Sequence, residues 1–252
     1  MKSLMIAKIA IQELFHERVF YIIICFAALT LATSFLFGQM TYTQHGRITL
    51  NFLLAAIQIS MLLFSIFAGI SLFQKEIISG SVSMVLSKPI SRSSFLIGKY
   101  IGQIITQFFV ITIMGLITHT FLAVFYEIYE GYVLFQTLLL IFFEVMVLTA
   151  VTYFFSVIAG AMTSAILTIC WFCIGHFWDI FSSVLEKKNL ISWTTVRTLI
   201  PNLEVFNMKD LASYAISISS LEIGYAFLYS LCCIAFYLTI GCLFFEQKDI
   251  LT

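Results

Sequence analysis

The chain has 252 residues, of which 61% are hydrophobic and 10% charged, with a mean hydropathy of +1.05; soluble chains run at roughly half apolar and about a quarter charged. This excludes an ordinary soluble domain and makes the chain an integral membrane protein. Lys plus Arg equals Asp plus Glu at 13 each, a balance that gives no reason to invoke nucleic acid or an acidic substrate.

Few of the 27 Phe residues alternate with polar ones at period two, the pattern that barrel strands require over about ten residues. Helices must therefore carry the spans, because each satisfies its own backbone in lipid. The expected fold is an all-α integral membrane protein, a single transmembrane domain over residues 1–252.

Taken in chain order, Met5 to Phe15 puts Met5, Ile6, Ile9, Ala10, Leu14 and Phe15 to one side and Lys8, Gln12, Glu13 and His16 to the other. That is the pattern of an amphipathic helix lying in the interface; a plain cytosolic extension of the first span is the alternative. No cleavable signal is read in Met1 to Arg18, which carries Lys2, Lys8, Glu13, Glu17 and Arg18. Apolar runs then predict six spans, at about 19–37, 49–73, 100–125, 132–155, 157–181 and 224–245, each long enough at ~1.5 Å per residue for a ~30 Å hydrocarbon core.

The most informative polar interruption runs from Gln74 to Arg92, between the second and third spans. Within it Ile78, Val82, Val85 and Leu86 form one stripe of a short helix at about 75–92, Gly80 weakens that helix, and Pro89 ends it. Ser91 or Ser93 can cap the next helix, and Gly98 and Gly102 offer a flat face for close packing where it enters the bilayer.

The apolar stretch from Tyr132 to Phe181 is about twice one span and must turn near Ser156 to Ala165. Ser156, Gly160, Ser164 and Thr168 also recur at four-residue spacing, the small-residue pattern of close helix contacts. Glu144 falls near the middle of the fourth span, where a charge costs ~2.5 kcal/mol or more; it is either a functional group or a hydrogen-bonded carboxyl that specifies packing. His119, and His176 with Asp179 one turn later, lie toward the far ends of their spans, and could meet in a polar or metal-binding site or be satisfied interior histidines. Cys170-x-x-Cys173 has the spacing of a redox or metal pair, but no second pair or histidine cluster accompanies it, so the thiols are expected to pack as small apolar groups and no metal is assigned.

With the N-terminus inside, Lys2, Lys8, Arg18, Lys75, Lys88, Arg92, Lys99 and Lys248 are cytoplasmic, against Arg47, Lys187, Lys188, Arg197 and Lys209 outside. The positive-inside rule therefore predicts a multi-pass protein of the cytoplasmic membrane with both termini cytoplasmic. The long outer segment from Ser182 to Ile223 then carries short helices, one of them starting near Asn207 to Asp210 with Leu211, Tyr214, Ala215 and Ile218 at helical spacing.

Glu76-x-x-x-Gly80, then Leu86-Ser87-Lys88-Pro89-Ile90-Ser91-Arg92, then Gly98-Lys99 resembles the signature of permease subunits of type-2 ATP-binding-cassette exporters. The six-span layout resembles that family over essentially the whole chain, with Ser81 where threonine is common. The resemblance implies that residues 75–92 form a coupling helix docked on an ATPase subunit, with Glu76, Gly80, Pro89 and Arg92 shaping or contacting the docking element. Gly98-Lys99 is followed by Tyr100 and is not a phosphate-binding loop, so ATP and Mg belong to the partner ATPase. Two copies of that ATPase and a second copy of the permease, in a setting of membrane lipids, are the implied assembly. Residues 200–210 look most similar to permeases grouped with multi-copper-enzyme maturation.

A secondary transporter or channel-like protein is the alternative, but it should show inverted repeats and interrupted helices with midplane charges; beyond Glu144 neither is seen. No His-Glu-x-x-His, Gly-x-Ser-x-Gly or span-borne carboxylate pair suggests an intramembrane enzyme.

Overall fold

A computed structural model describes residues 2–16, 21, 23–25, 27–29, 31–32, 45–78, 91–126, 131–177 and 200–247. The described helices are α1 (Lys2–His16), α2 (His45–Ile78), α3 (Arg92–Tyr126), α4 (Gly131–Ile158), α5 (Ala161–His176), a 3-10 turn (Leu203–Phe206), α6 (Lys209–Ser213) and α7 (Ser220–Gln247). Among the described residues four stretches are long and apolar enough to cross a membrane: Gly46–Phe73, Arg92–Phe125, Gly131–Ile158 and Ser220–Gln247. The described residues between 21 and 32 are helical and fall in the expected first span. The expected fifth span at 157–181 contains α5, whose 16 residues reach about 24 Å at ~1.5 Å each; residues 178–181 lie outside the described residues.

Helices α2 and α4 form the inner layer: 72% of the most apolar window of each is buried, against 33% for α3 and 22% for α7. α4 is apolar all round, as a helix packed on every side must be, and it touches α2, α3, α5 and α7. At the end of the bundle where α2 stops and α3 starts, edge-on aromatic pairs lock three of these helices and α7 together. Phe73 lies 6.3 Å from Tyr153 and 5.3 Å from Phe245, and Tyr100 lies 6.2 Å from Tyr153. Such pairs add to the burial of large rings.

The N-terminal helix departs from a purely interfacial role. Its buried residues Ile6, Ala7, Ala10 and Leu14 are turned into the protein, along α3, whereas Ile9 is exposed and Glu13 faces α3 rather than water alone. Gly102 makes this approach possible, since a Cβ there would stand 2.7 Å from the Ala7 carbonyl oxygen and 2.8 Å from the Ala10 Cβ. Ala10 and Leu14 also share a cluster with Ile23, in the expected first span, and Phe64, Ala68 and Leu72 of α2.

The helix of the second span does not end before the polar interruption. α2 runs unbroken through Gln74–Ile78, so Lys75 and Glu76 continue the span helix instead of opening a separate short one. The remainder of the expected coupling element, with Gly80 and Pro89, lies outside the described residues, as does the side chain of Glu76. α3 begins two turns before the expected boundary at Tyr100, with the Ser91 hydroxyl accepting the Ser94 N–H at 3.3 Å as an N-cap.

α4 and α5 are separated by Ala159 and Gly160. Ser164 closes that corner by donating to the Phe155 and Gly160 carbonyls at 3.0 and 2.9 Å. Beyond position 200, α6 stops after five residues in place of a stripe reaching Ile218. Ala215 adopts φ 60, and bonds from Ala215 N to Ala212 O and from Ile216 N to Leu211 O complete a Schellman ending. Ile218 is then pinned on α4, its N–H and C=O both bonded to the Gln136 side chain at 3.0 and 2.9 Å.

Candidate functional site

Glu144 is 1% exposed and sits at the centre of α4, where helices on every side exclude water. A carboxyl so placed must find partners within the protein. Gln58 of α2 supplies one, its Nε2 lying 2.9 and 2.8 Å from the two carboxyl oxygens. His176, the last residue of α5, supplies the other, with Nε2 2.8 Å from Glu144 Oε1. The two are themselves adjacent, Gln58 Nε2 lying 3.1 Å from His176 Nε2.

From this centre the chain of polar groups continues toward the segment after residue 200. Lys209, at the start of α6, donates to Gln58 Oε1. The other ring nitrogen of His176, Nδ1, lies 3.5 Å from Glu204 Oε2, and Glu204 Oε1 accepts from the Asn207 amide at 2.9 Å. The 3-10 turn that carries Glu204 is set by Asn202, whose Oδ1 accepts the Glu204 N–H at 3.0 Å and whose own N–H donates to the Tyr229 hydroxyl of α7 at 2.7 Å. Gly175 lets it sit close to α5: a Cβ there would be 2.7 Å from Leu203 Cγ. Five elements thus converge on one imidazole and one carboxyl. The arrangement can hold and exchange protons between His176 and its two carboxyl neighbours, and can bind a cationic group beside the Gln58 amide, where Lys209 now sits.

Of the polar residues singled out in the sequence, Glu144 and His176 come together. His119 does not join them: its ring packs on Gly131, with Cε1 3.1 Å from where a Cβ of that glycine would be. It lines a groove of about 520 Å³ between α3 and α4, together with Phe108, Leu116, Phe135, Leu138 and Phe142. Asp179 lies outside the described residues. Among the described residues no group of three or more His, Cys, Asp or Glu is arranged to hold a metal ion. Gln58, Glu204 and Lys209 were not signalled by the sequence, because an amide on an apolar helix and two charges on short helical turns carry no motif.

A second polar cluster, also unsignalled, holds α2, α3 and α4 together. Thr149 meets the Ser65 hydroxyl at 2.9 Å and the Gln107 amide at 3.0 Å, and Gln103 donates to the Ser65 carbonyl at 3.0 Å. Side-chain bonds of this kind take the place of a hydrophobic drive that lipid does not provide.

The remaining expectations divide. Gly98, Gly102, Ser156 and Ser164 are buried, and Gly102 and Ser164 have the packing contacts described above. Gly160 is exposed, and among the described residues a Cβ there would meet nothing within 4 Å, so there it marks the corner between α4 and α5. Arg92 donates to the Phe245 and Glu246 carbonyls at 3.0 and 3.2 Å, capping the C-terminus of α7, where a cation also complements the helix dipole. None of the six cysteines is buried: Cys25, Cys170, Cys173 and Cys232 are exposed and Cys233 and Cys242 partly so, so the expected interior packing is replaced by positions on the outer faces of their helices.

Compared with known proteins, residues 3–250 match the family described as ABC-2 family transporter protein. No curated protein matches the chain.

Proposed function

Because the chain belongs to the ABC-2 transporter family and is a transmembrane permease of that family, we propose that it is the membrane subunit of an ATP-driven exporter, moving an unidentified substrate across the cytoplasmic membrane while a separate ATPase subunit hydrolyses ATP with Mg. The match over residues 3–250 carries this reading. It is supported by the absence of a phosphate-binding loop in the sequence. In this reading six helices cross the membrane, the described residues between 21 and 32 and the short α5 belonging to two of them.

Both termini are cytoplasmic, on the distribution of Lys and Arg, so that the 79–90 connection faces the cytosol and the segment 200–219 faces outward. α2, with 34 residues, and α3, with 35, are each about 50 Å long at ~1.5 Å per residue. That exceeds a ~30 Å hydrocarbon core, so each can project toward a cytosolic partner. The ATPase docks on residues 75–92, and two permeases act with two ATPases. The decisive experiment is co-expression with a cognate ATPase subunit. A stable complex containing two copies of each, with ATP hydrolysis in the complex and none in the permease alone, is expected. Hydrolysis by the purified permease unaided would overturn the reading.

A further inference from the structure

We propose that His176 is the proton-binding centre of an ionic latch that fastens residues 202–209 over the end of the bundle opposite the 79–90 connection. This goes beyond the permease reading and does not depend on the ATPase; only the statement that the latch faces outward rests on the orientation proposed above.

The argument starts from the valence of the ring. A neutral imidazole has one N–H and one lone pair, and an imidazolium has two N–H groups. His176 has a carboxyl at each edge: Glu144 of α4 is 2.8 Å from Nε2, and Glu204 of the 3-10 turn is 3.5 Å from Nδ1. Only the imidazolium can donate to both.

Of the other groups around the ring, the Gln58 amide of α2, itself only a donor at Nε2, lies 3.1 Å from the ring Nε2 and gives its hydrogens to the Glu144 oxygens, the Lys209 ammonium of α6, held on the Gln58 carbonyl, opposes the imidazolium charge, and Phe172 of α5 sets its ring edge-on at 4.5 Å. With both carboxyls ionised, two negative charges then face the imidazolium and the Lys209 ammonium, and these four described groups sum to zero. Removing the proton leaves an excess negative charge inside a low-dielectric site, where an unbalanced charge is costly.

Deprotonation affects the two contacts unequally. The ring's remaining N–H stays with Glu144, because an unpaired carboxyl that is 1% exposed costs more than one at the surface. Glu204, whose side chain is 42% exposed, is bonded to Asn207 and can turn to solvent. Nδ1 then presents a lone pair to a carboxylate, and the polar tie between α5 and the 3-10 turn is lost. Leu203 against Gly175, and Asn202 on the Tyr229 hydroxyl, keep the segment in place, so the latch loosens it without detaching it.

Hydrogen exchange of the full-length permease in lipid nanodiscs between pH 5.5 and 8.5, corrected for the intrinsic pH dependence of exchange, tests this. In the wild type, exchange over residues 203–213 is expected to rise about fivefold through one titration as pH increases, with α4 unchanged; this is the size of a partly exposed ionic contact. His176→Gln should give a profile flat in pH. Glu204→Gln, which alters a surface group and leaves the buried carboxyl paired, should show at low pH the exchange that the wild type reaches at high pH. A wild-type profile without pH dependence, or either variant retaining the wild-type response, overturns the latch. Such a failure would leave the permease reading intact, since that is decided by complex formation with the ATPase.

Discussion

Lys99 and Glu13 meet at 2.5 Å where α1 lies along α3, and they are unequal partners: the Lys99 side chain is 2% exposed and that of Glu13 41%. The ammonium is thus the group that depends on the contact, since Glu13 retains access to water. Removing the carboxyl should take the paired charge away from a buried cation, whereas removing the cation should cost little. Glu13→Ala is expected to destabilise the protein by about 1–3 kcal/mol, discounted from a fully buried pair because Glu13 is partly solvated. Lys99→Met should lie within about 1 kcal/mol of wild type. Apparent melting midpoints in one detergent, compared for both variants, check the asymmetry; equal losses would mean that the pair acts as a unit.

Glycine substitutions should separate contact from corner. Gly102→Val places atoms against the Ala7 backbone, which cannot yield as a flexible side chain would, and should lower stability by about 1–3 kcal/mol through overpacking. Gly160→Ala has open space and an extended backbone at φ -70, and should stay within about 0.5 kcal/mol of wild type. Protease sensitivity of residues 2–16 in membranes should rise for the first variant alone.

At Glu144 the comparison is between a neutral isostere and an apolar one. Glu144→Gln keeps one acceptor oxygen for Gln58 and His176, so assembly should persist while substrate-dependent ATP hydrolysis by the complex changes. Glu144→Leu leaves Gln58 and His176 with an unpaired face and is expected to cost about 2–4 kcal/mol. Unchanged transport kinetics in the Gln variant would assign Glu144 to packing.

Coupling is tested where the polar interruption begins. Glu76→Lys and Gly80→Trp alter no apolar span, so membrane insertion should match wild type. Each should reduce co-purification of the ATPase, or leave ATP hydrolysis running without transport, by about tenfold or more. Wild-type co-purification together with wild-type transport in both would make residues 75–92 a connector and place the docking surface elsewhere.

What the sequence determined by itself is what depends on local composition. Runs of apolar residues set the long helices, because a helix in lipid must satisfy its own backbone and needs about 20 residues to cross. A turn within Ser156–Ala165, a cap at Ser91 or Ser93, and a mid-span carboxyl at Glu144 were legible for the same reason: each is a departure from the surrounding pattern. Tertiary structure alone decided which departures meet. Glu144 and Gln58 are separated by 86 residues, and His176 and Glu204 by 28, and no periodicity relates positions on different helices. The amphipathic stripe of α1 likewise left open whether lipid or protein would cover it. The choice fell to Gly102, whose missing side chain lets Ala7 and Ala10 approach α3, and to Lys99, a buried cation that pairs with Glu13 on the neighbouring helix.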